Sequence, residues 1–121
     1  MKYAYMENAV ESYLVNEIEH IGGLCYKFTS PSLNGVPDRI VFYKGQVLFV
    51  ECKAPNEKPR SEQILVHKAM SRHGIPVYVL STIEQIDEFI YELAVFNRLV
   101  HPEKYLFVDD RPAKTFALSA L

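Results

Sequence analysis

Gly35-Val36-Pro37-Asp38-Arg39-Ile40-Val41-Phe42-Tyr43-Lys44-Gly45-Gln46-Val47-Leu48-Phe49-Val50-Glu51-Cys52-Lys53 is the stretch that decides the fold. Two runs rich in β-branched and aromatic residues, 38–43 and 46–53, flank the dipeptide Lys44-Gly45, so the stretch reads as a β-hairpin with a tight turn. Val47-Leu48-Phe49-Val50 is apolar at successive positions, which predicts a strand inside the sheet and buried on both faces. Side chains alternate along a strand, so Glu51 and Lys53 share one face. A tight turn sets the start of one strand opposite the end of the next. Asp38 therefore joins Glu51 and Lys53 at one edge of the sheet. Such charges are costly to bury without a partner. Two carboxylates in reach of each other bind a hard divalent cation through oxygen, and the main-chain carbonyl of Cys52 is a further donor between them.

Upstream, residues 3–21 read as a helix. Tyr3, Val10, Leu14, Ile18 and Ile21 recur at helical spacing, and Gly22-Gly23 ends the run. Glu7 falls on the line of Val10, Leu14 and Ile18, whereas Glu11 lies towards its edge and Glu19 faces solvent. A carboxylate aimed at the sheet needs a partner, and a cation held by Asp38 and Glu51 supplies one. Residues 24–29 read as a strand and 30–37 as a loop of turn formers. Downstream come a polar loop to Arg60, a helix over 61–73 ended by Gly74, and an apolar strand over 76–80. Ser81-Thr82-Ile83-Glu84 reads as a capping box. It opens a long helix with Ile86, Phe89, Ile90, Leu93 and Phe96 on one face. Tyr105-Leu106-Phe107-Val108 is a candidate last strand. The order α-β-β-β-α-β-α predicts an α/β protein, with a strand–helix–strand crossover that makes residues 46–53 and 76–80 a parallel pair. A mixed sheet flanked by helices follows.

At 121 residues the chain is one domain's worth, and 49% hydrophobic with 23% charged residues argues against disorder. Residues 1–100 are expected to form that domain, with 101–121 a tail that extends it. The formal net charge of -2 seems to count against a nucleic-acid binder. But residues 24–73 hold eight basic and four acidic residues, and the remainder five basic and eleven acidic. A basic middle lies between acidic flanks. No apolar run approaches the roughly 18–20 residues that span a bilayer. The N-terminus does not read as a signal peptide. Cys25 and Cys52 fit neither a disulfide scaffold nor a zinc site. The expected setting is cytoplasmic, in a bacterial or phage-infected cell. His20, His67, His73 and His101 share no metal-site spacing. His67 follows Gln63 by one helical turn, which would bring it near the site, but its ordinary reading is a surface or half-buried histidine.

The residues that carry a family resemblance are Glu7-Asn8-Ala9-Val10, Gly22-Gly23, Lys27-Phe28-Thr29-Ser30-Pro31, Gly35-Val36-Pro37-Asp38-Arg39, Phe49-Val50-Glu51-Cys52-Lys53-Ala54-Pro55 and Gln63. In that order they resemble the VRR-NUC branch of the PD-(D/E)xK nucleases over residues 5–90. Ser32 departs from the Gly often found after the Ser-Pro pair, a loop detail. The resemblance implies a restriction-endonuclease-like fold and a Mg²⁺-dependent nuclease in which Mn²⁺ substitutes. It implies Asp38, Glu51, the Cys52 carbonyl and Glu7 as metal ligands, and Lys53 as the group that orients or deprotonates water. It implies that Gln63 positions Lys53 or the water. The products would carry 5′-phosphate and 3′-hydroxyl ends.

Lys27, Ser30, Arg39, Lys58, Arg60, Lys68 and Arg72 flank the motif and are candidate DNA contacts. Phosphate contacts give affinity without a sequence code, so recognition of DNA shape is expected. Stand-alone members of the family resemble Holliday-junction resolvases. Two symmetric nicks need two sites, which a C₂ homodimer provides. Phe96, Leu99, Val100, Phe107, Phe116, Leu118 and Leu121 are the expected dimer-interface residues. The alternatives are a nuclease for flaps, ends or duplex DNA within a larger complex, and a catalytically silent DNA-binding module.

Overall fold

The computed structural model of the chain describes residues 2–109, with side chains from residue 6 onward. The elements are α1 (Lys2–His20), β1 (Leu24–Lys27), β2 (Arg39–Tyr43), β3 (Gln46–Cys52), α2 (Ser61–Arg72), β4 (Val77–Leu80) and α3 (Ile83–Phe96), followed by a 3₁₀ turn over Pro102–Tyr105. The sheet order is β1-β2-β3-β4, antiparallel at the first two pairings and parallel at the last. This is the expected α/β arrangement. Lys44 (φ 45°) and Gly45 (φ 81°) both take the left-handed conformation, the two-residue turn whose twist matches that of paired strands. That turn fixes the register from Tyr43↔Gln46 to Arg39↔Val50. Asp38, one residue further, falls beside Glu51.

The expected helical stripe of α1 is buried at Val10, Leu14 and Ile18. With Ile86, Phe89, Ile90 and Leu93 of α3 it packs on Cys25, Val41, Tyr43, Val50, Cys52, Tyr78 and Leu80. The two helices thus share one face of the sheet. The opposite face carries α2, which packs on β4 and reaches Glu51 at the C-terminal end of β3. Its other half is uncovered among the described residues: Leu24, Tyr26, Phe42 and Val47 point outward, Tyr26 55% and Val47 53% exposed. Residues 47–50 therefore lie in an interior strand that is not buried on both faces, because a single helix cannot cover four strands.

Four further expectations are corrected. The cap of α3 is Thr82, one residue later than expected. Its hydroxyl accepts from Gln85 N–H at 3.1 Å, and Gln85 Oε1 accepts from Ser81 N–H at 2.8 Å. Gln85 thus reaches back past the cap to Ser81, and the expected reciprocal Ser-x-x-Glu box does not form. Phe96 falls off the apolar stripe, half exposed, with its ring edge-on to Tyr91. Residues 105–108 form no strand. Pro102 opens a 3₁₀ turn instead, and the buried Glu92 of α3 holds it by accepting from Val100 N–H, His101 N–H and the Tyr105 hydroxyl. Tyr105 is buried edge-on against Phe89 and Tyr78, with ring centroids 5.3 and 6.4 Å away. Leu99 is buried in the same core, so it is not available to a dimer interface. Phe116, Leu118 and Leu121 lie outside the described residues.

Candidate active site

The hairpin register delivers the expected constellation. Asp38 Oδ2 accepts the backbone N–H of Cys52 at 3.0 Å, stitching the start of β2 to the end of β3. The Asp38 carbonyl accepts Phe28 N–H at 2.8 Å, which ties the same point to the chain leaving β1. Glu51 is fully buried and Lys53 is 4% exposed, with Nζ 3.6 Å from Glu51 Oε2. Glu7 is half-buried at the N-terminal part of α1, near enough for the charges of Asp38 and Lys53 to act on it.

Burial raises the Glu51 carboxyl to about 8. The Asp38 charge adds to the shift, and Lys53 opposes it. Burial also raises Glu7. A protonated Glu51 at neutral pH is what such a cluster holds in the absence of a counter-ion. Among the described residues no three Asp, Glu, His or Cys side chains close around one point by themselves. The donor set still fits a hard cation that completes its shell with main-chain carbonyl and water, as Mg²⁺ does. Among the described residues the buried Oε1 of Glu51 has no hydrogen-bond partner, an oxygen suited to such a ligand.

Gln63, in the first turn of α2, is buried and doubly fixed. Its Oε1 accepts Arg60 N–H at 2.7 Å, and its Nε2 donates to Glu51 Oε2 at 2.7 Å. Its partner is therefore Glu51 rather than Lys53. The first of these bonds dictates which end of the amide faces the site. The loop over 30–37 reaches α2 at Gly35, where φ is +101° and an added Cβ would lie 2.4 Å from the Glu62 carbonyl oxygen. Only glycine fits there.

The candidate DNA contacts divide into two groups. Glu11 takes Arg39 Nε at 2.7 Å and Lys27 Nζ at 2.9 Å on the same oxygen. Burial opposes ionisation of Glu11, but these two hydrogen bonds hold its carboxyl below the usual range. Lys68 Nζ lies 3.5 Å from Asp109. Arg60 pairs with Glu62 on the surface at 2.9 Å. Lys58 and Arg72 are exposed, and Ser30 is half-buried. His67, treated in the sequence as an ordinary histidine, lies against the site. It is 12% exposed at the side chain, with Nε2 3.9 Å from Glu51 Oε1. Burial, helped by the Lys53 charge, lowers it to about 4, so it faces Glu51 as a neutral ring rather than as an ion-pair partner. Spacing was the signal: residues 63 and 67 share a helix face.

The chain matches no family model. It is 47% identical over 77 residues to a protein named "Putative nuclease p44" of Acyrthosiphon pisum secondary endosymbiont phage 1, covering 63% of this chain and 83% of the other. It also resembles a solved structure described as a VRR_NUC domain, with a TM-score of 0.66 and 32% identity, covering 71% of this chain and 95% of that one.

Proposed function

The chain belongs to the VRR-NUC nuclease family, and from that membership we propose that it is a divalent-metal-dependent endodeoxyribonuclease that resolves branched DNA as a homodimer. The observation that carries the reading is the cluster of half-buried Asp38 with buried Glu51 and Lys53 at the edge of the sheet, with one Glu51 oxygen unpartnered among the described residues.

Asp38, Glu51, the Cys52 carbonyl and Glu7 would hold Mg²⁺, or Mn²⁺ in its place. The bound cation would supply Lewis acidity, lowering the pKa of water and neutralising charge that develops on the phosphate. The chain's own groups do the rest. Asp38 is locked by the Cys52 N–H, so its second oxygen has a fixed direction. Gln63 holds Oε2 of Glu51, which leaves Oε1 for the cation. Lys53 is a buried ammonium beside Glu51, placed to orient the attacking water and to receive negative charge in the transition state. Its burial keeps the charge effective, because the surroundings screen it poorly. Lys58 and Arg72 are exposed to phosphates; Arg60, Lys27, Arg39 and Lys68 are each paired with a carboxylate, and Ser30 is half-buried.

Two symmetric nicks require two copies of the site. We place the dimer contact on the bare half of the sheet, at Leu24, Tyr26, Phe42 and Val47. These outward positions are apolar or aromatic where a solvated antiparallel face ordinarily carries polar residues, and none of them carries a charge that a second copy would repel.

The test is cleavage of a labelled four-way junction, a flap, a duplex and a single strand with Mg²⁺ or Mn²⁺. Paired symmetric nicks in the junction, lost in Asp38→Asn and Lys53→Ala, support the reading. An inert junction with a cleaved flap or duplex replaces resolution with end or duplex processing. Tight DNA binding with no cleavage leaves a silent binding module.

A further inference from the structure

His67 leaves α2 one turn after Gln63, on the same helix face. The two side chains address the two oxygens of Glu51. Gln63 Nε2 donates to Oε2 at 2.7 Å, and His67 Nε2 stands 3.9 Å from Oε1. Both Oε1 and Nε2 are buried, and neither has a hydrogen-bond partner among the described residues. Buried polar atoms are nearly always satisfied, and 3.9 Å is too long for a direct hydrogen bond. A water held between the two atoms, about 2.8 Å from each, would satisfy both. A cavity of about 200 Å³ adjoins the imidazole, lined by Ile64, Ser71, Val77, Val79 and Phe107 among others, and gives water a route to the ring.

We propose that His67 is a positioning residue for Glu51, its Nε2–H donating through one ordered water to Oε1, so that α2 fixes both oxygens of the carboxylate. The proposal rests on Glu51 being an active-site carboxylate. It adds that the second turn of α2, and not only its first, belongs to the site. The imidazole touches neither DNA nor the reacting water. It acts by limiting where Oε1 can point. Partners of this kind orient ligands that would otherwise rotate.

Long-range ¹H–¹⁵N spectra of labelled protein test the donor directly. The expected result is an imidazole with its proton on Nε2, whose resonance moves in Glu51→Gln and stays in Glu84→Ala. A proton on Nδ1 overturns the proposal whether or not the protein cleaves DNA. A second test uses His67→Phe, which fills the space without an N–H, and His67→Gln, which restores a donor. With melting temperatures matched, His67→Phe should weaken calorimetric Mg²⁺ binding and lower kcat, each about 10-fold, with KM within about twofold. His67→Gln should recover most of both losses. A folded Phe variant with wild-type Mg²⁺ affinity and kcat would refute the role. If the wild type neither binds Mg²⁺ nor cleaves any DNA, the nuclease chemistry fails, and the position of the imidazole proton still decides for or against His67.

Discussion

Glu51 is a buried acid whose proton is held more tightly in the native state than in the unfolded chain. Its carboxyl rises from an ordinary 4.5 to about 8. The associated stability is complete below pH 4.5 and drains away as the pH climbs towards 8. His67 works in the opposite sense. A ring lowered from 6.5 to about 4 contributes stability above its ordinary value and loses it as the pH falls. Glu51 therefore dominates the interval from 6.5 to 8. The expected outcome is a melting temperature of metal-free protein that declines across this interval, and a flat profile with a higher melting temperature for Glu51→Gln. Calorimetry at fixed ionic strength checks it. Lys53→Ala should abolish cleavage, with a fall in kcat of at least about 100-fold, while circular dichroism and DNA binding persist. The triad Asp38, Glu51 and Lys53 was legible in the sequence because a two-residue turn admits one register. Arg39 and Lys27 were not legible as partners of one glutamate, since nothing in residue type says that Glu11 reaches both.

At the scale of elements, α2 is what makes the sheet edge a site. Gly35 brings the preceding loop against the Glu62 carbonyl, and Gln63 and His67 face Glu51 from the same helix. Gly35→Ala forces a Cβ into backbone at 2.4 Å and strains a positive φ, so something must shift. It should cost about 2–3 kcal/mol in denaturant unfolding and lower activity by displacing α2. A second element-scale device is Glu92. Its carboxylate joins the end of α3 to the 3₁₀ turn through two backbone donors and Tyr105. Glu92→Ala strands three buried or half-buried donors and should destabilise by about 2–4 kcal/mol, whereas Tyr105→Phe removes one donor and should cost about 1 kcal/mol. Thermal melts of both variants check the order. The logic that singled out Glu7, a carboxylate on an apolar stripe, also applies to Glu92, three residues after Phe89. The stripe of α3 is broader, and the carboxylate is lost among its flanking acids. The expected last strand failed for the same reason: Tyr105 is apolar enough for a strand, yet its hydroxyl belongs to Glu92.

At the scale of the whole molecule the helices of the described residues are distributed two to one across the sheet, and within those residues the lighter side is only partly covered. The sequence pattern of β3 shows apolar residues on both faces but not which protein covers the second face. Phe42→Glu places charge at the centre of the proposed dimer contact. The expected light-scattering result is twice the 13.9 kDa chain mass for wild type and a single mass for the variant. A wild type that is monomeric at high concentration removes the dimer and leaves the site intact. Junction nicks by the monomeric variant should become single rather than paired. The buried Glu51 carboxyl has one more consequence, for the economy of ions in solution. A protein that keeps a proton where the proposed cation binds must exchange one for the other. Uptake at neutral pH would then eject close to one proton, and apparent affinity for Mg²⁺ would climb nearly tenfold for each pH step below 8. Titrations in two buffers of unlike ionisation heat would reveal this exchange as a difference in apparent enthalpy. Acidification would then serve as an off-signal for the enzyme, with no regulatory segment required.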